Sequence, residues 1–235
     1  MELNQFQRRI ADNLPQIALR FDEPMSKHTS FRIGGPAAVM AFPRNEEELS
    51  KVLEASKKMD IKPIILGAGT NVLAPDEGIP ELIVCLKDGM NGMELLEGGC
   101  IRIMSGVTMT RAAVFAANHG LTGMEFAHGI PGTVGGGVYM NAGAYGGEIS
   151  QICRSVTVMD RNGETKQLSP EDMEFGYRHS ILEESGEIVV SAVFELAQDS
   201  PEAVKDRMKQ LQTKRIASQP LDLPSAGSAF KRPLN

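Results

Sequence analysis

The order of apolar runs along this chain predicts an α+β protein with two lobes and a C-terminal stub. Three observations carry that expectation. Residues 37–86 read strand, helix, strand, as one β-α-β unit. From about residue 92 to 197 the pattern returns mainly strands, around one helix and a glycine-rich stretch. Past residue 199 a proline-led helix gives way to "SQPLDLPSAGSAFKRPLN", where Pro, Ser and Gly break regular structure. The expected boundaries are 1–88 and 89–199 for the lobes, with 200–235 as the start of a third region.

Residues 2–13 place Leu3, Phe6 and Ile10 on one face of a short amphipathic helix. "AAVMAFP" (37–43) reads as a strand stopped by Pro43. Asn45 is placed to cap a helix through "EEELSKVLEASKKM", whose first turn is acidic and whose last carries lysines, both favourable to the helix dipole. "KPIILGAGTN" reads as a buried strand entering a glycine turn, and "ELIVCL" (81–86) as a further strand. "MELLEGGCIRIMSG" has the pattern of a hairpin, and "TMTRAAVFAANHG" that of a helix closed by Gly120. Strands are expected at 152–160, 164–168 and 187–197, with "DRNGE" as a hairpin turn, and a last helix from Pro201 to about Gln212.

Composition narrows the function. A formal net charge of −6 argues against a nucleic-acid backbone or an anionic membrane as main partner, although a local cluster of cations and N–H groups could still hold an anionic small ligand. With aromatics at 5% and no Trp, surfaces built for stacking bases or sugars are not expected. Cys85, Cys100 and Cys153 are far apart and have no metal-ligand spacing, so no metal is expected and a reducing compartment is implied. The N-terminus lacks an apolar signal core, and the expected location is the cytoplasm. A monomer is expected.

"GAGTNV" (67–72) follows a strand as a dinucleotide fingerprint would, yet its sixth position is Val72 and "LAPDEG" after it holds turn residues, so a Rossmann site fits poorly. A glycine turn can bind phosphate without a helix, through successive N–H groups; a plain strand-to-loop turn is the alternative. Residues 129–147 hold eight of the chain's 24 glycines. The GxxxG spacings there do not make a membrane helix, because Pro131, Thr133 and Asn141 interrupt an already short run. Glycines interleaved with Ile130, Val134, Val138, Tyr139, Met140 and Tyr145 suggest backbone pressed against a flat or phosphorylated group. Two such segments in separate lobes suggest one large cofactor between them.

"KHTSFRIGGPA" (27–37), "GAGTNVL" (67–73), "GIPGTVGGGVYMNAGAYGGEI" (129–149), "GYRHSIL" (176–182) and "SAGSAFKRP" (225–233) occur in the order and spacing of the UDP-N-acetylenolpyruvoylglucosamine reductase (MurB) family, which the chain resembles along essentially its whole length. The resemblance implies a two-lobed FAD-binding fold of the vanillyl-alcohol-oxidase type. It also implies reduction of the enolpyruvyl ether of a UDP-sugar with NADPH as co-substrate, giving UDP-N-acetylmuramate for peptidoglycan. By position, Gly67, Ala68, Gly69, Thr70 and Asn71 would wrap the FAD pyrophosphate, and Val72 would also contact the cofactor. Ile130, Gly132, Thr133, Ala142 and Gly143 would lie along the flavin and its ribityl chain, and Arg215 would reach flavin or substrate. Tyr145 reads as a packing residue beside the flavin.

Arg178 resembles the family's catalytic arginine, a fixed guanidinium that would stabilise the enolate formed when hydride adds to the double bond. Taken from the residues alone, a surface arginine in a salt bridge is the favoured reading. Ser228 matches the serine that protonates the intermediate; no GxSxG elbow supports a hydrolase reading. Tyr177, Lys231 and Arg232 would meet the substrate's diphosphate or sugar. His28, His119, His128 and His179 read as loop or solvated residues, and "TSFRIGGPA" as a turn anchoring the first lobe.

Family members continue past the serine and supply a glutamate near their C-terminus, whereas no glutamate follows Ser228 here. The expectation is a shortened substrate region, with association through it as a possible consequence. The alternative functions are an impaired FAD- or nucleotide-binding remnant, or another flavin oxidoreductase on the same fold. The short link from "YRHSIL" to "EIVVSAVFELA" resembles the family class without an extra tyrosine-bearing loop.

Overall fold

The computed structural model describes residues 2–220 and 222–227. Helix α1 (Gln5–Asn13) starts at a reciprocal cap, in which Asn4 accepts from the Gln7 N–H and Gln7 accepts from the Asn4 N–H. The buried Gln7 amide then donates to the Ala38 carbonyl (3.1 Å) and to Asp22 (3.0 Å), fastening α1 to the sheet beside it. That sheet has the order β1-β2-β4-β3, formed by Ala18–Pro24, Pro36–Phe42, Ile79–Cys85 and Ile64–Leu66. β2, β4 and β3 run parallel, and β1 pairs antiparallel at one edge. Helix α2 (Glu46–Lys58) is capped by Asn45 and buries Leu49, Val52 and Leu53. The buried strand expected in 62–71, ahead of the glycine turn, is corrected here: β3 has three residues and forms the sheet edge, and Ile64 is 42% exposed.

The second sheet is antiparallel, in the order β11-β10-β12-β6-β5, from Thr165–Leu168, Cys153–Met159, Ile188–Glu195, Cys100–Met104 and Met93–Leu95. β12 is central, and all its residues from Ile188 to Phe194 are buried. Helix α3 (Met109–Asn118) lays Ala112, Ala113, Ala116 and Ala117 into the same core, small side chains that permit close approach. Gly120 ends it with φ +66°, a left-handed position suited to glycine. Two pairings of two-residue strands complete the sheets: β7 (Leu121–Thr122) with β13 (Ala197–Gln198), and β8 (Gly143–Ala144) with β9 (Gly147–Glu148).

Two further helices lie in this half: α4 (Val134–Tyr139) and α5 (Leu182–Ser185). Helix α6 (Pro201–Ser218) begins at the Ser200 cap with proline in its first turn. It runs past the expected end at Gln212 and stops just before Pro220, a residue that cannot continue a helix. The two sheets share an apolar core, in which Met90, Met159, Ile188 and Val190 pack with Ile10, Val39, Leu49, Val84 and Leu86. Among the described residues no helix is long and apolar enough to cross a membrane.

A buried carboxylate latches α6 to the loop that leads into the glycine-rich stretch. Glu125, 9% exposed, accepts from the Thr122 hydroxyl (2.7 Å), the Gly123 N–H (2.7 Å) and Arg207 Nε (2.9 Å). Arg207 also donates to Asp199 and Thr122. Burial pushes the Glu125 carboxyl upward, but the hydrogen bonds from Thr122, the local N–H groups and Arg207 outweigh it and hold the carboxyl below its usual range. The unfolded chain therefore takes up this proton first as pH falls. The contribution is complete at neutral pH and is lost on acidification through and below the ordinary carboxylate range. Glu125→Gln is expected to lower unfolding stability by about 1–3 kcal/mol at pH 7. In urea melts the gap to the wild type should narrow towards pH 4; a gap that widens on acidification would contradict the assignment.

Candidate functional site

β3 ends at Leu66 and runs into the turn 67–72. Gly69 has φ +62°, and a Cβ there would stand 2.0 Å from the His28 carbonyl oxygen, so only glycine fits. The 27–35 segment props this turn from behind: the Ser30 N–H donates to the Gly69 carbonyl (3.0 Å), and a Cβ on Gly35 would meet the Asp76 oxygen at 2.2 Å. His28 Nε2 lies 2.9 Å from Glu23 Oε1, which steadies the prop. Among the described residues, the N–H groups of Ala68, Gly69, Thr70, Asn71 and Val72 have no acceptor.

The turn touches the second lobe at residues 130–133. Thr70 Oγ1 donates to the Pro131 carbonyl (3.2 Å), and a Cβ on Gly67 would stand 2.5 Å from Thr133 Oγ1. Gly132 (φ +139°) has Thr70 Oγ1 only 3.3 Å from its Cβ position. Its N–H and that of Thr133 also lack a described acceptor. The two segments expected to share a ligand are thus in contact across the lobes. Arg215, on the last turn of α6, lays its side chain over Gly129, where a Cβ would meet Cδ at 2.9 Å. Ile130 is half-buried just after that glycine.

The glycine-rich stretch is more than a ligand surface, which corrects the reading of its composition. Residues 134–139 form α4, capped by Thr133, whose hydroxyl accepts from the Gly136 N–H. Cβ atoms on Gly135 and Gly137 would meet Ser105 and Met109 at 2.8 Å, so these glycines let α4 sit tightly on its own protein. Gly143 and Gly147 are bare because Glu148 and Phe126 crowd them within 3.0 Å, in the β8–β9 hairpin. Ala142 is buried, and its N–H donates to Gly137. The open positions are Gly132, Gly136 and Gly146, where no atom of the described residues comes within 3.0 Å of a Cβ position.

The Tyr177–Arg178 pair tips a tight turn closed by Gly176 and His179, whose backbones exchange two hydrogen bonds of 3.1 and 3.2 Å. Arg178 has φ +56°, an uncommon conformation for arginine. The turn is docked on the glycine-rich stretch, since Asn141 Nδ2 donates to the Gly176 carbonyl (3.0 Å) and Ser180 Oγ to the Tyr139 carbonyl (2.7 Å). Among the described residues the Arg178 guanidinium makes no ion pair or hydrogen bond, so the salt-bridge alternative is not what is observed. Tyr177 stands 52% exposed beside it. Asn141 went unnoticed among the expected site residues; its one sequence signal is an asparagine among glycines, a residue type that tolerates left-handed backbone. His128 is half-buried rather than solvated, and burial lowers its pKa. Ser228, Lys231 and Arg232 lie outside the described residues.

The family model for FAD binding domains matches residues 36–169. The chain is 43% identical to a UDP-N-acetylenolpyruvoylglucosamine reductase of Agathobacter rectalis, over 97% of this chain and 76% of that protein. With the protein of the same name from Clostridioides difficile the identity is 45%, over 92% and 70% respectively. Among solved structures, the UDP-N-acetylenolpyruvylglucosamine reductase of Thermus caldophilus superposes with a TM-score of 0.77 at 31% identity, covering 93% of this chain and 75% of that one. A glucooligosaccharide oxidase of Acremonium strictum, at 15% identity, shares the fold (TM-score 0.60, over 83% of this chain and 43% of that one).

The residues present fit a flavin dinucleotide: unspent N–H donors lie on two touching segments, and positions 67, 69 and 132 are all bare. Gly67→Ala forces its methyl onto Thr133 and should weaken FAD binding at least about tenfold, the equivalent of ~1.4 kcal/mol. The expected readout is flavin fluorescence titration, with the circular dichroism of the wild type retained. Unchanged affinity would remove the cradle from the binding site.

Proposed function

This chain belongs to the UDP-N-acetylenolpyruvoylglucosamine reductase family, and we propose that it holds FAD between its lobes and, with NADPH, reduces the enolpyruvyl group of UDP-N-acetylglucosamine enolpyruvate to UDP-N-acetylmuramate. Bound FAD would supply the redox chemistry, the transfer of hydride from NADPH to the terminal methylene carbon of the enolpyruvyl group. The protein supplies position and charge. The amides of residues 68–72 and 132–133 would hold the cofactor's diphosphate. Hydride addition leaves a carbanion next to the substrate carboxylate, whose charge spreads onto the carboxylate as an enolate. A guanidinium already in place lowers the energy of that species, and its planar pair of donors matches a carboxylate better than an ammonium does.

The observation that carries this reading is Arg178: its guanidinium has no described protein partner, and its turn is hydrogen-bonded to the stretch that follows the cofactor cradle. Ser228 is the proposed donor of the proton that completes reduction. Tyr177, Lys231 and Arg232 are proposed to meet the UDP-sugar, and Arg215, beside Gly129, the cofactor or substrate. Such a role belongs to peptidoglycan precursor synthesis in the cytoplasm.

Purified protein should be yellow. Anaerobic mixing with NADPH should bleach it, and the enolpyruvyl substrate should restore the colour. Arg178→Lys should leave bleaching within about threefold while slowing reoxidation by roughly 10²–10³-fold; Ser228→Ala should likewise spare the first step and slow the second. Equal slowing of both steps by Arg178→Lys would refute its assignment. Oxygen consumption triggered by a substrate without NADPH would make the protein an oxidase.

A further inference from the structure

We propose that Asn141 is the positioning residue that holds Arg178 at the flavin; this inference rests on the role proposed for Arg178 above. Asn141 is 3% exposed and sits at φ +41° immediately before the β8–β9 hairpin. Its side chain bridges two segments. Oδ1 accepts from the Ser150 N–H (2.9 Å), and Nδ2 donates to the Gly176 carbonyl (3.0 Å). One partner can only donate and the other can only accept, so the amide has a single satisfied orientation. The Gly176 carbonyl also accepts from the His179 N–H that closes the turn, so Asn141 engages the carbonyl that defines the turn.

The tether acts on a turn that has reason to move. Arg178 lies at φ +56°, a conformation that persists only when its surroundings over-determine it. At the turn tip Tyr177 is half in solvent. Ser180, fully buried, anchors the far side through the Tyr139 carbonyl. Between them, Asn141 and Ser180 tie both ends of the four-residue turn to the stretch of chain that runs from α4 to the β8–β9 hairpin. Moving a charged group by about 1 Å from its reacting position can lower a rate ~100-fold, so the tether sets how well Arg178 meets the developing charge.

Asn141→Asp keeps left-handed tolerance and the acceptor for Ser150, but sets an oxygen against the Gly176 carbonyl. Asn141→Gly removes both bonds without backbone strain, and serves if the carboxylate variant does not fold. Either variant should slow flavin reoxidation by the enolpyruvyl substrate by about tenfold or more. Reduction by NADPH and the flavin spectrum should stay within about twofold of the wild type. Trypsin added to the purified full chain, flavin-bearing or not, should cut after Arg178 faster in the variants than in the wild type, as read by peptide mass. The inference fails if reoxidation is unchanged, if both half-reactions fall together with loss of flavin, or if cleavage after Arg178 does not rise. A wild type that its substrate never reoxidises would instead overturn the proposed function, and the cleavage comparison would still report the tether.

Discussion

Gly67 and Thr133 meet across the two lobes so closely that a single methyl group would not fit between them. That approach organises the site, and it depends on the lobes being unable to drift apart. The shared core supplies this: Met159, Ile188 and Val190 from the antiparallel sheet pack among Val39, Leu49 and Val84 of the parallel one. Apolar burial is non-directional, so it fixes separation better than angle. The angle is set by polar contacts at the seam, such as Thr70 on the Pro131 carbonyl, while Ser30 on the Gly69 carbonyl braces the turn from within the first lobe. A cradle built this way is formed before its ligand arrives, so little ordering entropy is lost on binding.

Much of the frame was legible in the sequence because it depends on local chemistry. Asn45 followed by three glutamates caps a helix wherever it occurs, and "DRNGE" folds into a hairpin turn by its own backbone preferences. What was not legible depends on distant partners. Strand β1 escaped notice because "ALRFDEP" mixes charges with apolar residues and contains Asp22 at φ +49°; its pairing with β2 makes it a strand. β3 looked buried by composition, but its place at the sheet edge leaves Ile64 open to water. Helix α4 was hidden by its three consecutive glycines, which disfavour helix by about 1 kcal/mol each. It forms because Thr133 caps it and because Ser105 and Met109 pack where side chains would have been.

The same division runs through the candidate site. Residues 67–72 and 130–133 could be named from their glycines and from the family likeness, and the structure brings them together. Arg178 could be named, but its lack of an ion pair among the described residues could not be read from a sequence with thirty acidic residues. Asn141 was beyond reach. Its two hydrogen bonds join residues 35 positions apart and nine positions apart, a geometry that only the folded chain defines.

Backbone strain gathers where the glycine-rich stretch and the arginine turn meet. Asn141, Tyr145 and Arg178 all have positive φ without being glycine, and the first is hydrogen-bonded to the turn that carries the last. Each such residue costs on the order of 1–3 kcal/mol, so the fold must hold them by other means. An arginine on a free loop would avoid that cost, but it would lose side-chain and backbone freedom each time it engaged a substrate. Holding the turn in advance moves the loss from the reaction to the folding of the chain. In the role proposed for Arg178 the guanidinium would then not need to reorganise as negative charge develops, which is the condition under which a fixed charge accelerates a reaction most.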